Sequence, residues 1–232
     1  MALPKLETPT YKLKVPSTGE AIEFRPFIVK EEKLLLMLNE DSKQRQKSDL
    51  IKKLLSSCIT TEIDVSTLTT FDIEYIFLNL RSKSVGEEVE ILVPCEDCGK
   101  SCPATVNLDT DIFIDGKDPK DIDFNIPLNA TVGLEMKYPN IDILSDSFDE
   151  GNTTSMIIKC IKAIYDETTV HNVEDYTENE IKEFIESLSV RDIQKLQVFF
   201  EQLPKVKCKV KFTCPHCGHE NEFNLEGLSN FF

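Results

Sequence analysis

Two short cysteine motifs, far apart in the chain, constrain its fold more than any other feature. They are Cys95-Glu96-Asp97-Cys98-Gly99 and Cys214-Pro215-His216-Cys217-Gly218. Each is C-x-x-C followed by glycine, and each lies between runs that alternate apolar and polar residues. Two cysteines from each motif supply four thiolates, the ligand set of a closed tetrahedral zinc site. The glycine suits the left-handed backbone of a tight turn, in which N–H groups point at the sulfurs. Residues 99–213 separate Cys98 from Cys214. One metal held by Cys95, Cys98, Cys214 and Cys217 therefore makes the middle of the chain an insertion between two hairpins of a single zinc ribbon.

Bulk properties set the context for that metal. The chain has 232 residues, room for one large or two small domains. No apolar run approaches the roughly 20 residues of a membrane span. The start, Met1-Ala2-Leu3-Pro4-Lys5, lacks the basic flank and apolar core of a signal peptide. The expectation is a soluble cytoplasmic protein, whose thiols stay reduced, and this favours metal over disulfides. The net charge of −15, from 26 basic and 41 acidic residues, repels nucleic acid unless the bases are concentrated. They gather once, in Lys205-Val206-Lys207-Cys208-Lys209-Val210-Lys211, where alternation puts all four lysines on one strand face. A solvated face or a protected edge accounts for the pattern. The competing reading is a basic stripe for an acidic partner, the protein's own acidic segments included.

The rest of the chain reads as α+β. Residues 1–10 form an extended arm. Residues 11–15 and 21–25 alternate with period two around Pro16-Ser17-Thr18-Gly19-Glu20, which predicts a hairpin. Helices follow over 30–39 (short and buried), 42–58 (capped by Asp41-Ser42) and 70–83 (capped by Thr69 or Thr70, apolar on more than one face). Strands 87–94 and 102–108 flank the first motif. The acidic, turn-rich stretch 109–127 carries too many apolar residues for a disordered linker. Residues 129–138 predict a strand, 142–152 an acidic loop, and 153–165 a helix with Cys160 in its buried stripe. Thr177-Glu178-Asn179-Glu180 is a capping box opening a helix over 178–188, and Ser189 caps another over 190–202. Strands 205–213 and 220–225 flank the second motif. Three units result: residues 1–85, the hairpin and helices; 86–108 with 205–232, the split zinc ribbon; and 109–204, an acidic connector and mostly helical insertion.

Other chemistry is mostly excluded. Asp111, Asp115 and Gly116 match positions 1, 5 and 6 of a calcium loop, but Phe113 and Ile122 stand where position 3 and the bidentate glutamate belong. Cys58 and Cys160 fit core positions, and Cys102 and Cys208 fit the strands beside the motifs better than they fit a ligand set. His216 and His219 are expected near the metal or in solvent. No P-loop, dinucleotide glycine pattern, H-E-x-x-H or G-x-S-x-G occurs. A redox or hydrolytic zinc enzyme needs an open ligand position, which four cysteines close. The tail Leu228-Ser229-Asn230-Phe231-Phe232 is apolar, and Leu228, Phe231 and Phe232 are candidates to fold back on the domain or to dock into a neighbouring subunit.

Two further stretches carry a resemblance. One is Leu3-Pro4-Lys5-Leu6-x-Thr8-Pro9-x-Tyr11 with Pro16-Ser17-x-Gly19 and Phe24-Arg25-Pro26-Phe27-x-Val29-Lys30-Glu31-Glu32-Lys33. The other is Asp72-Ile73-Glu74-Tyr75-Ile76-Phe77-Leu78-x-Leu80-Arg81-Ser82-Lys83-Ser84-Val85-Gly86-Glu87. Both resemble the baseplate hub proteins of T4-like tailed bacteriophages. The likeness spans about the first hundred residues and, by pattern, the cysteine motifs, while residues 110–200 are placed by continuity. It implies a non-enzymatic hub subunit or hub assembly factor, with other hub or tape-measure proteins as partners and self-association as an option. It further implies residence in the host cytoplasm during assembly, or in the tail baseplate. It brings no catalytic residues. The alternative class is a zinc-ribbon module for nucleic-acid binding or transcription, which the negative charge disfavours.

Overall fold

The computed structural model describes residues 6, 8–38, 44–143 and 153–227. The chain opens with the expected hairpin. Strands β1 (Tyr11–Lys14) and β2 (Ala21–Phe24) pair antiparallel across a turn that Gly19 closes at φ 74°. Helix α1 (Val29–Leu38) is less buried than its leucine run predicts: Leu34 and Leu35 are half-buried, and Leu36 and Met37 face solvent. In its first turn Glu31 is buried and paired with Arg25 at 3.0 Å. Helix α2 (Gln44–Cys58) buries Ile51, Leu54, Leu55 and Cys58, the stripe its spacing predicts. Its end lies along β2, where the Arg25 N–H donates to the Cys58 carbonyl at 2.9 Å.

Helix α3 (Thr70–Val85) starts on a capping box between Thr69 and Asp72. It buries Phe71, Ile73, Ile76, Phe77, Leu78 and Leu80, so it is enclosed on more than one side. Asp72 also accepts from the Ser17 N–H at 2.8 Å and the Ser17 hydroxyl at 2.6 Å. The Phe27 N–H donates to the Ser84 hydroxyl at 3.0 Å. The two stretches that carry the family resemblance are thus bonded to each other.

Strands β3 (Glu88–Pro94) and β4 (Ser101–Asn107) form the hairpin with the first cysteine motif at its tip. The acidic stretch beyond it is partly ordered as strands β5 (Ile112–Asp115) and β6 (Asn125–Pro127). Strand β7 (Gly133–Met136) is shorter than the predicted 129–138. Residues 129–132 turn instead, with the Asn129 side chain accepting from the N–H groups of Thr131 and Val132.

The helix expected over 153–165 is corrected. Helix α4 (Thr153–Lys159) ends before Cys160, and strand β8 (Ile161–Tyr165) follows at once. Pairing with β7 decides this: Leu134 faces Ile164 and Glu135 faces Ala163, while Lys162 turns outward to Glu135 at 2.6 Å. Strand β9 (Val170–Asn172) completes a four-stranded antiparallel sheet in the order β6-β7-β8-β9. Helices α5 (Glu178–Glu186) and α6 (Val190–Gln202) carry the capping boxes Thr177/Glu180 and Ser189/Asp192.

Strands β10 (Lys205–Thr213) and β11 (Glu220–Glu226) form the second cysteine hairpin, and β5 adds to the other side of β10. The lysine stripe of β10 meets the protein's own carboxylates: Lys205 with Glu226 at 3.0 Å, Lys207 with Asp115 at 2.5 Å, and Lys209 and Lys211 with Glu222 at 2.8 and 3.1 Å. These pairs are solvent-exposed cross-strand contacts, so they set register more than they add stability.

Two large hydrophobic cores result among the described residues. The first gathers the N-terminal hairpin, α2, α3, β3, β4 and the inner face of β10. The second gathers Ile126, Leu134, Met136, α4, β8 and the inner faces of α5 and α6. Tyr138 touches both, edge-on to Phe71 at 5.5 Å and to Phe124 at 4.9 Å. No helix among the described residues is long and apolar enough to cross a membrane. The expected cap at Asp41-Ser42, most of the loop over 142–152, and the tail residues Leu228, Phe231 and Phe232 lie outside the described residues.

Candidate metal centre

The two cysteine hairpins fold their tips by the same local rules. The Gly99 N–H donates to the Cys95 carbonyl and the Gly218 N–H to the Cys214 carbonyl, both at 2.9 Å. Gly99 sits at φ 68° and Gly218 at φ 76°, the left-handed conformation that glycine adopts without strain. Each turn curls its backbone around its first cysteine, and the His216 N–H reaches the Cys214 sulfur at 3.4 Å.

Strands β4 and β10 lie side by side, so the two tips meet. The sulfurs of Cys95, Cys98, Cys214 and Cys217 all lie within 4.8 Å of one another. Across the tips, Cys95 is 3.7 Å from Cys217 and Cys98 is 3.7 Å from Cys214. Four sulfurs held about 2.3 Å from one tetrahedral centre are separated by about 3.8 Å. The spacing therefore fits a metal ion of that kind, and the four residues singled out by sequence are the four that come together. Cys95 and Cys214 are buried, and Cys217 faces solvent.

Electrostatics favour a cation among these sulfurs. Hydrogen bonds from the backbone of Cys98 and Asp97 hold the Cys95 thiol below its usual value. Burial raises Cys214, but the backbone N–H groups of His216 and Cys217 outweigh it and bring the thiol down to about 6. Cys217 receives a lowering bond from the backbone of His219, yet partial desolvation on its inner side and the sulfurs of Cys214, Cys95 and Cys98 push it up to about 12. Thiolates this close repel, so some keep their protons. A divalent cation at the centre removes that repulsion and stabilises all four as thiolates.

The remaining cysteines divide as their spacing predicts, with one addition. Burial pushes the thiols of Cys58, Cys160 and Cys208 up to about 11, 12 and 11, as it does for inert core cysteines. Cys102 is in the strand leaving the first tip, as expected, but its sulfur also lies 3.5 Å from that of Cys214. Asn221 was not anticipated at all. It is buried between the tips, accepts from the Glu96 N–H at 2.9 Å, and donates to the Cys95 sulfur at 3.6 Å. The sequence held a signal for it: Asn221 shares a strand face with Phe223 and Leu225, and a polar residue on an apolar face needs a partner. His216 and His219 have exposed side chains and contribute through their backbones.

Comparison with known proteins places this architecture. The chain is similar to the baseplate hub assembly protein gp26 of Enterobacteria phage T4, with 26% identity over 223 residues that cover 96% of this chain and 97% of that protein. No solved structure matches it. A family model described as "T4 bacteriophage base plate protein" matches residues 8–232, which takes in both cores and both cysteine motifs. The chain belongs to the T4 bacteriophage base plate protein family.

Proposed function

We propose that the chain acts without catalysis in the central hub of a contractile-tail baseplate, as a hub subunit or a hub assembly factor working through protein–protein contacts. The observation that carries this reading is the end-to-end match to a hub assembly protein, which leaves almost no part of either chain unaccounted for. Its partners are other hub or tape-measure proteins, met in the host cytoplasm during assembly, and the chain either stays in the tail baseplate or leaves it. The ion is zinc, bound by Cys95, Cys98, Cys214 and Cys217 in a ribbon split across the sequence. Four sulfur ligands leave it no open position, so its role is structural. The lysines of β10 are occupied by Asp115, Glu222 and Glu226, which supports a protein rather than a nucleic-acid partner.

The division of labour follows the three sequence units. Residues 1–85 and the split ribbon (86–108 with 205–232) form the metal-fastened body, to which β5 of the connector is joined through β10, and the rest of 109–204 forms the appended one. The apolar tail residues Leu228, Phe231 and Phe232 serve as a partner contact. Deleting the gene from the phage that encodes the chain should give lysates without assembled baseplates in electron micrographs, restored by the chain supplied from a plasmid. A chain truncated after Gly227 should restore assembly poorly. Normal tailed particles from the deletion would overturn the reading. Mass spectrometry of purified particles then separates subunit from assembly factor.

A further inference from the structure

The two cysteine hairpins match beyond their motifs. The Cys95 N–H donates to the Lys100 carbonyl at 2.9 Å and the Cys214 N–H to the His219 carbonyl at 2.8 Å, each five residues on. Val93 pairs with Cys102 across the first hairpin, and Phe212 pairs with Asn221 across the second. Cys102 and Asn221 therefore hold equivalent places, seven residues after the first cysteine of each motif. Both are buried, at 0% and 2% exposure. Each bonds a carbonyl two residues back on its own strand: the Cys102 sulfur to Lys100 at 3.4 Å and the Asn221 amide to His219 at 3.1 Å. Each also reaches across to the first cysteine of the other motif, Asn221 to Cys95 at 3.6 Å and Cys102 to Cys214 at 3.5 Å.

We propose that Asn221 and Cys102 are a crossed pair of positioning residues for the metal centre, each holding the buried sulfur of the opposite hairpin. This rests on the zinc reading above. A hydrogen bond donated to a metal-bound thiolate spreads its charge and fixes its direction, and such outer contacts govern metal affinity. The two donors are unequal. The Asn221 amide has two N–H groups and serves the His219 carbonyl and the Cys95 sulfur together, while its oxygen takes the Glu96 N–H. Cys102 has a single S–H to divide between the Lys100 carbonyl and the Cys214 sulfur. Asn221 is the stronger of the two, and it ties both tips to one side chain.

The test loads the full chain with cobalt(II), whose charge-transfer band counts thiolate ligands, and measures metal transfer to a competing chromophoric chelator. Asn221→Ala should keep the four-thiolate spectrum and lose roughly tenfold to a hundredfold in affinity. Asn221→Asp should lose more, because it donates nothing to Cys95 and adds a negative charge beside it. Cys102→Ala should lose less than Asn221→Ala, and Cys102→Ser, which keeps a donor, should stay near the wild type. Wild-type affinity in both Asn221 variants would overturn the proposal, as would a missing thiolate in the cobalt spectrum of Cys102→Ala, which makes Cys102 a ligand. Should Asn221→Ala fail to fold, Asn221→Asp decides alone, since it retains the acceptor for the Glu96 N–H. A wild-type chain that takes up neither zinc nor cobalt overturns the zinc reading itself.

Discussion

The first hydrophobic core joins residues as far apart in sequence as Val15 and Val210, whereas every buried residue of the second lies between Ile126 and Leu203. The first core must close a long loop to form, and the cysteine cluster stands where that loop closes. A covalent cross-link spanning a loop of about a hundred residues offsets on the order of 5 kcal/mol of chain entropy, and a metal bound from both ends acts in the same sense. The second core has no such fastening among its described residues. It closes through adjacent strands and through helices with their own capping boxes. A metal held by the four cysteines would therefore fasten the chain where its order makes closure expensive.

Metal removal should separate the two regions most. Structural zinc contributes on the order of 10 kcal/mol at neutral pH in small zinc domains. Chelation, or Cys98→Ser or Cys217→Ser, should lower the melting temperature and strip hydrogen-exchange protection from β3, β4, β10 and β11. Protection in β7, β8 and α6 should persist, because local units can open separately. Equal loss in both regions would mean that Tyr138 and its neighbours weld them into one cooperative unit, and the contrast between the cores would fail.

The same contrast explains what was legible in the sequence. The cysteine cluster was legible because a metal-ligand set demands a fixed local spacing, and the hairpins beside it because half-buried strands alternate. The helix starts at Thr69, Thr177 and Ser189 were legible because capping is local. The break at Cys160 was not. Ile157, Cys160, Ile161 and Ile164 fit a helical stripe, and only the neighbouring β7 turns residues 161–165 into a strand. Strand β5 was hidden for the same reason, since Ile112-Phe113-Ile114 gains its pairing from β10, some ninety residues on. The exposure of Leu36 and Met37 on α1 also depends on neighbours, because a leucine run does not record which of its faces will be covered.

A smaller, pH-dependent effect should sharpen the contrast within the first core. Glu74 of α3 is pushed up to about 7 by burial and then by the nearby Glu226, against the pull of Lys205 on β10. Its ordinary value is 4.5, so between these two pH values the folded carboxyl keeps a proton that the unfolded one has lost. The folded state binds more protons, and stability falls as pH rises through that window, then levels off above it. Glu74→Gln should accordingly stabilise the first core by about 3 kcal/mol at pH 8 and leave it almost unchanged at pH 4.5. Urea titrations at both values check this. A gain of the same size at each pH would trace the effect to packing rather than to charge.

The smallest effect belongs to the second core. Gly133 of β7 faces Tyr165 of β8, and a β-carbon at residue 133 would run into the tyrosine ring and its hydroxyl. The ring lies over the glycine and covers the gap that a missing side chain leaves in a sheet. Gly133→Ala must push the ring aside, toward the groove lined by Val132, Ile164 and Tyr176. Alanine also restricts the unfolded chain more than glycine does, which favours the variant by roughly 0.5–1 kcal/mol. Overpacking a fitted pair commonly costs about 1–3 kcal/mol, so the expected net is a loss of about 1 kcal/mol. Hydrogen exchange should locate that loss in β7 and β8 and leave β3 and β10 unchanged. A stabilised variant would mean that the tyrosine moves freely and that the second core is looser at this pair than its strand register suggests.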